Sequence, residues 1–215
     1  MNRHFDYLPD SIKNLPRDKR GYPVPYFASE VDGEADFVHA DPVKFRKALK
    51  ENRCWICGGH LGRLKTFVLG PMCCVTRTTS EPPCHRECAE FAVKGCPFLS
   101  KPMAKRSENE GKNPGGIMIK RNPGVAALWG TMSYEVFQAN GILLEVGDPV
   151  ALTFWSEGRP ATRDEVTESI TSGSPALAEL AHAEGPEAVT ELMRTFAAFR
   201  VNVFDKFMPK EKTDV

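Results

Sequence analysis

The chain is 215 residues long and carries 28 basic and 28 acidic side chains, so its formal net charge is zero. A hydrophobic fraction of 41% and a charged fraction of 26% are ordinary for a globular protein with a core, built as one domain or two small ones. No apolar run approaches the length of a transmembrane helix, and the N-terminal residues are followed by charges and prolines, which excludes a membrane span and a secretory signal from the prediction.

The zero net charge conceals an asymmetry along the chain. Residues 1–125 hold 21 basic and 14 acidic side chains, a net charge of +7, whereas residues 126–215 hold 7 and 14, a net charge of −7. Two oppositely charged parts can face each other or face different partners. Counts over segments do not locate a charged patch, so ordinary surface variation is an equally good interpretation.

Four stretches are predicted along the chain, and the first is an extended N-terminal arm over residues 1–40. This stretch is rich in proline and aromatic residues, and a residue that precedes proline is pushed towards extended conformations. Residues 41–99 follow as a zinc-binding module with a preceding helix, and residues 100–116 are a polar linker or exposed loop. Residues 117–215 form an α+β C-terminal part.

The helix before the zinc-binding module has a clear start. Asp41 is suited to the N-cap and Pro42 to the first helical position, so the prediction is a helix that runs from there to about Asn52. Its apolar face carries Phe45 and Leu49.

Two short motifs carry most of the chemical information in the sequence. Cys54-Trp-Ile-Cys57-Gly-Gly and His85-Arg-Glu-Cys88 each place two soft ligands at i and i+3, and 27 residues separate the two pairs. This spacing is typical of a structural zinc site. We expect a reducing cytoplasm for the seven cysteines, and there metal binding explains them better than disulfides do. The sequence therefore predicts zinc as a cofactor, with Cys54, Cys57, His85 and Cys88 as its ligands.

The fourth ligand has a competitor. Cys84 lies at i, i+4 from Cys88, but it follows two prolines and is expected to precede the helix, so His85 is favoured. Cys73 and Cys74 follow a turn and could reach the metal, although packing in the core is the favoured interpretation for both, as it is for Cys96.

The order of elements around these ligands resembles the treble-clef class of zinc modules. Strands are predicted at Leu61–Leu69 and Cys74–Thr79, joined as a β-hairpin through Gly70-Pro71, and a helix is predicted at His85–Val93. A Cys-Gly-Gly knuckle, a hairpin and a helix follow one another in a treble clef. The resemblance implies metal binding, but treble clefs serve nucleases, transcription factors and protein adaptors alike.

Several short motifs of the sequence also resemble an uncharacterised family of phage and bacterial accessory proteins. They occupy residues 54–59, 70–73, 82–89, 96–99 and 155–166. The resemblance implies an accessory protein encoded by a phage or another mobile element. It brings no activity and no active-site residues to this chain.

The C-terminal part is predicted to contain a small antiparallel sheet followed by helices, which makes the whole chain α+β. Helices are expected to start at the capping box Thr162-Arg-Asp-Glu165, at Ser174-Pro175 and after Gly185-Pro186, the last with an apolar stripe that is expected to be core. The predicted strands are Ile117–Lys120, Ala127–Gln138, Leu143–Val146 and Val150–Trp155.

The favoured function is that of a structural-zinc protein that binds another protein. Four protein ligands close a zinc site and leave no position for a catalytic water, and no convergent acid, base and nucleophile is evident, so no catalytic residue is predicted. A less favoured alternative is an HNH-like nuclease that uses His60 or His85 as its base. The main alternative is a nucleic-acid binder whose phosphate contacts come from Lys44, Arg46, Lys47, Lys50, Arg53, Arg63 and Lys65.

Overall fold

A computed structural model describes residues 8–101 and 123–210, and these residues form a mixed α+β fold with small antiparallel sheets and C-terminal helices. The predicted fold class is confirmed in these terms. The predicted strand Ile117–Lys120 and nearly all of the predicted linker 100–116 lie outside the described residues. Within the described ranges, none of the helices combines the length and the apolar composition needed to cross a bilayer.

The N-terminal stretch contains regular structure that the prediction of an extended arm does not include. A single helical turn, α1 (Asp10–Lys13), precedes a hairpin made of β1 (Ala28–Val31) and β2 (Glu34–Ala40). Both residues of the connecting turn, Asp32-Gly33, have positive φ, which is the conformation that Asp-Gly favours in tight hairpins. Ile12 of α1 is completely buried, so this stretch packs onto the rest of the chain.

Helix α2 (Pro42–Lys50) begins as predicted. The Asp41 carboxylate accepts hydrogen bonds from the backbone amides of Val43 and Lys44 at 2.8 and 3.0 Å, and Pro42 occupies the first helical position. These contacts satisfy two of the amides that a helix start leaves without partners.

The β-hairpin predicted for the zinc-binding module is wrong, because the extended parts of its two predicted strands lie in different sheets. The first strand is present as β3 (Lys65–Leu69), but helix α3 (Pro71–Thr76) replaces most of the predicted strand Cys74–Thr79, and only β4 (Thr78–Thr79) is extended. The proline starts α3 because the first helical amide needs no partner. The chain then enters α4 (Arg86–Gly95), which corresponds to the predicted helix, and a short α5 (Pro97–Ser100).

The strands after Pro123 are β5 (Ala126–Thr131), β6 (Tyr134–Gln138), β7 (Ile142–Val146), β8 (Pro149–Ser156) and β9 (Arg159–Pro160). The predicted strands at 143–146 and 150–155 correspond to β7 and β8. The prediction of one strand over Ala127–Gln138 is wrong, because the chain turns at Met132-Ser133 and the two halves enter different sheets. The four-stranded sheet has the order β3-β5-β8-β9 and the three-stranded sheet the order β4-β7-β6, all antiparallel.

The capping box at the start of α6 (Arg163–Glu184) is confirmed. The Glu165 amide donates to the Thr162 hydroxyl at 3.2 Å, and the Thr162 amide donates to the Glu165 carboxylate at 2.7 Å. The predicted boundary at Ser174-Pro175 is wrong, because α6 continues through Pro175.

The chain then forms α7 (Pro186–Phe199), a π-helical turn (Arg200–Phe204) and α8 (Asp205–Phe207). The apolar stripe of α7 is buried only towards its end. Phe199 is 5% exposed, whereas Met193 is 70% exposed. The prediction that the stripe belongs to the core is therefore wrong for its first turns.

Strand β5 separates two hydrophobic clusters, and all six of its residues are buried. Ala127 and Trp129 point into the larger cluster with Phe67 and Leu144, while Ala126 and Leu128 point into the smaller one. Successive side chains of a strand point to opposite faces, so one strand closes both clusters. The smaller cluster holds the predicted metal ligands Cys54 and Cys88.

Candidate metal centre

The structure brings together the four side chains that the sequence singled out. The ligand atoms of Cys54, Cys57, His85 and Cys88 all lie within 4.8 Å of one another. Nδ1 of His85 lies 3.3 Å from Sγ of Cys57 and 3.8 Å from Sγ of Cys88. Around a tetrahedral zinc ion, a sulfur and a nitrogen ligand are separated by about 3.5 Å, given bonds of about 2.3 and 2.0 Å. The group is therefore compatible with a single metal ion such as zinc.

The knuckle between α2 and β3 provides the first pair of sulfurs. The Cys54 amide donates to the Gly59 carbonyl at 2.7 Å, and the Gly58 amide donates to the Cys54 carbonyl at 2.8 Å. Gly58 has a φ of +75°, and a Cβ on it would lie 2.7 Å from the Tyr26 ring. A glycine is needed at this position both for the left-handed backbone and for the close approach of the ring.

Backbone amides surround the Cys54 sulfur. The amides of Cys57 and His85 each donate to it at 3.4 Å. The His85 amide precedes α4, so the same sulfur joins the knuckle to the start of that helix. These amides favour the thiolate, which is the form of cysteine that binds metals, but the hydrogen bond from the Cys54 thiol to Cys57 outweighs them and raises the pKa of Cys54.

The imidazole of His85 is oriented by a contact outside the cluster. Its Nε2 lies 2.9 Å from the backbone carbonyl of His60. A carbonyl can only accept, so Nε2 carries the proton and Nδ1 is left with its lone pair directed at the sulfurs. Metal-binding histidines are commonly oriented in this way by a carbonyl or carboxylate on the other nitrogen.

A residue that the sequence analysis missed completes the surroundings of the site. The Ser11 hydroxyl donates to the Glu87 carboxylate at 2.6 Å and lies 3.4 Å from the Cys88 sulfur. Ser11 belongs to α1, where Ile12 packs into the same small cluster as Cys88. Because neither spacing nor a ligand motif connects Ser11 to Cys88, only the docking of α1 identifies this contact.

The three cysteine side chains of the site differ in the direction of their pKa shifts. Hydrogen bonds from the Cys54 and Cys88 thiols lower the pKa of Cys57 far below that of a free cysteine. Hydrogen bonds to Cys54 and Cys57 raise the pKa of Cys88, because they favour its protonated form. A bound cation would displace the remaining protons, so binding of a metal should release protons.

The competing cysteines point elsewhere. The Cys84 thiol is fully buried and donates to the backbone carbonyl of Thr66 at 3.2 Å, beside a backbone pairing of these two residues. Cys74 lies in the larger cluster, on the other side of β5 from the metal ligands. Cys73 and Cys96 are half-buried. In the described chain, none of these four cysteines belongs to the group that could hold a metal.

Three thiolates and one imidazole are a donor set that suits zinc, and they leave no open position on a tetrahedral ion. Comparisons of this chain with protein-family models, with curated proteins and with solved structures find no match, so its function has to be inferred from the site itself.

Proposed function

We propose that Cys54, Cys57, His85 and Cys88 hold a structural zinc ion and that the chain is a protein-binding accessory factor. The observation that carries the proposal is the closed set of four ligand atoms within 4.8 Å. Zinc sites that activate water keep one position open, whereas sites with four protein ligands stabilise the fold. The origin in a phage or mobile element stays a prediction from the family resemblance.

The position of the site supports a structural role. The ligands come from the knuckle and from the start of α4, and the contact of Ser11 adds α1 as a third segment. All three meet on the face of β5 that carries Ala126 and Leu128. A short segment with a small core gains much of its stability from such a metal bridge.

The charge distribution along the chain is compatible with a protein as the partner. The half of the chain from residue 126 onwards has a net charge of −7 and the preceding half +7. Exposed charge of one sign accelerates the encounter with a partner of the other sign, and this effect weakens as salt screens it.

Nucleic acid is the second candidate, because Arg46, Lys47, Lys50 and Arg63 are exposed. The other members of the predicted phosphate-contacting set are engaged within the protein: the Lys44 ammonium donates to the Ala28 carbonyl at 2.7 Å, and Arg53 donates to Glu51 and to the Gly58 carbonyl. Lys65 donates to the Gly62 carbonyl. These contacts make the binding of a protein the better-supported proposal. An HNH-like nuclease is the least supported candidate, because both ring nitrogens of His85, one of its predicted bases, have partners.

The test begins with zinc analysis and with capture of partners from host extract, before and after nuclease treatment. We expect about one zinc per chain and a protein partner that survives the nuclease. Association should slow between low and physiological salt, and Lys47→Glu with Lys50→Glu should slow it further if the basic half makes the contact. Lys206→Glu with Lys210→Glu, two exposed reversals in the other half, is the matched control.

Two results would contradict the proposal. One is less than about half an equivalent of zinc in protein purified without chelator. The other is tight binding of DNA or RNA at physiological salt, with a log–log salt slope of several units.

A further inference from the structure

A shallow groove of about 460 Å³ runs between α6 and α7, and the metal site has no part in it. Its lining is mostly apolar, with Ser174 and His182 at its polar margin. The side chains that form its walls are Ala178, Ala181, Val189, Leu192, Met193 and Phe196.

The groove contains the part of the α7 stripe that the core does not cover. Val189 and Leu192 are half-buried and Met193 is 70% exposed, although all three belong to the same apolar face as the buried Phe199. An apolar face that extends beyond its core is a common feature of surfaces that bind partners. Met193 adds a flexible side chain that can adapt to what lies against it.

The shape of the groove suits a helix. On α6 the wall consists of the small residues Ala178 and Ala181, while α7 contributes the larger Val189, Leu192 and Phe196. Small residues let a third helix approach closely, and large ones form the ridge beside it. On α6 the lining extends over residues 174–182, which is about 12 Å, or two turns. An incoming helix would therefore place about three apolar anchors against the groove.

The net charge of the two helices indicates which charge a partner helix should carry. Residues 163–199 contain seven acidic and two basic side chains, a net charge of −5. Among the residues described, no lysine or arginine forms an ion pair with the exposed carboxylates of Glu168, Glu179, Glu184 or Glu187. Lysine or arginine on the incoming helix would complement them, whereas a second copy of this chain would bring −5 against −5.

We propose that the groove between α6 and α7 binds an amphipathic helix of a partner protein, with apolar anchors at i, i+3 or i+4 and i+7 and with lysine or arginine on its flanks. This inference rests on the proposed protein-binding function and assigns it a surface.

The test uses the full chain with zinc and a fluorescent peptide of about 18 residues, with leucine at the anchor positions and lysine elsewhere. A control peptide has the same composition in an order that forms no apolar face. The groove variant is Met193→Lys, and the matched control is Val43→Lys on α2, because Val43 is 69% exposed and gains the same charge. We expect the amphipathic peptide to bind, the scrambled peptide to bind at least about tenfold more weakly, and Met193→Lys to weaken binding by about tenfold or more. Val43→Lys should change the affinity for the amphipathic peptide less than about twofold.

Several outcomes would overturn the assignment. These are a dissociation constant of the amphipathic peptide above about 1 mM, equal binding of both peptides, or equal effects of the two lysine variants. A dimer in sedimentation velocity that Met193→Lys dissociates would assign the groove to a second copy and would overturn the proposal as well.

The same variants separate this inference from the function on which it rests. If Met193→Lys leaves the purified partner bound as tightly as the wild type does, the groove assignment fails and the protein-binding function stands. If the wild type binds no protein partner but prefers nucleic acid, the proposed function fails, whatever the peptide does.

Discussion

Cys54 and Cys84 are both buried in the same small cluster, yet their hydrogen bonds with the backbone run in opposite directions. The Cys54 sulfur accepts two backbone amides, whereas the Cys84 thiol donates to the Thr66 carbonyl. A sulfur surrounded by donors is suited to carry charge and to bind a metal, and a sulfur that faces a carbonyl stays a thiol.

Serine substitutions should separate the two cysteines. We expect Cys54→Ser to lower the zinc content below about half an equivalent and to reduce the melting temperature, because one of four ligands is lost. Cys84→Ser should retain its zinc. Elemental analysis and thermal unfolding of both variants provide the measurement, and a loss of zinc in Cys84→Ser equal to that in Cys54→Ser would contradict the ligand assignment.

Alanine substitutions should likewise distinguish the two glycines of the knuckle, Gly58 and Gly59, by their effect on stability. An alanine at position 58 would have to keep the left-handed backbone conformation, and its Cβ would lie 2.7 Å from the Tyr26 ring. We therefore expect Gly58→Ala to lower the free energy of unfolding by about 2 kcal/mol or more. A Cβ at Gly59 would meet the Cys57 sulfur at 3.4 Å, an ordinary contact, so Gly59→Ala should cost less than about 1 kcal/mol. Denaturant unfolding of the zinc-loaded variants would show the order, and equal losses would count against this knuckle geometry.

Glu165 should make the stability of the chain depend on acid. Hydrogen bonds from the Arg159 guanidinium, helped by the Thr162 amide, lower the pKa of Glu165 from 4.5 to about 2. Because the folded state has the lower pKa, this contribution to stability is complete above about pH 4.5 and is lost as the pH falls towards 2.

The measurement compares Glu165→Gln with the wild type by denaturant unfolding across this pH range. The glutamine can still accept from the Thr162 amide, so the variant should be less stable at neutral pH, with a deficit that shrinks below pH 4.5. Glu168→Gln removes a charge from the exposed side of the same helix and is the control. A deficit that is the same at every pH would contradict the assignment.

At the scale of elements, α6 shows how packing overrides a local stop signal. Pro175 removes one helical hydrogen bond, and such a proline costs about 3 kcal/mol in an isolated helix. The residues on either side hold the helix together, because Ile170 and Leu177 both pack against the larger cluster. Gly173 lies between them, and a Cβ on it would approach Met72 of α3 to 3.0 Å.

Replacing this proline should therefore stabilise the protein. Pro175 is exposed, so Pro175→Ala restores the missing amide without removing a buried contact. The unfolded chain also gains freedom, which offsets part of the effect, and we expect a net gain of about 1–2 kcal/mol in the free energy of unfolding. Denaturant unfolding measures this gain, and a Pro175→Ala variant less stable than the wild type would show that the proline is required for packing.

At the scale of the whole molecule, β5 couples the metal site to the larger core. Its five paired positions with β3 tie the stretch of the metal ligands to the sheet, and its two faces close both clusters. Loss of the metal should therefore destabilise more of the chain than the zinc-binding module that the sequence predicts at residues 41–99.

Removal of zinc with a chelator should lower the melting temperature of the full chain and reduce its circular dichroism, and added zinc should restore both. The physical reason is that Cys54 and Cys88 are completely buried and belong to the cluster that covers one face of β5. A chelated protein with an unchanged melting temperature and spectrum would show that the site is dispensable for the fold.

The sequence by itself determined the features whose physics is local. The cap of α2 by Asp41, the capping box at Thr162 and the i, i+3 spacing within each pair of candidate ligands involve only a few residues, and the structure has all of them. The extended arm, the hairpin after β3 and the helix boundary at Pro175 are predictions from local signals that longer-range contacts outweigh.

Only the tertiary structure decided the rest. Strand β3 pairs with β5, a partner that no turn connects to it, and Ser11 reaches the Cys88 sulfur only because Ile12 is buried in the same cluster. The exposed stripe of α7 likewise depends on where the core ends and not on the apolar spacing that created it. Periodicity and capping specify the conformation of a segment, whereas the choice between burial and exposure is made by the surface that the remaining chain offers to it.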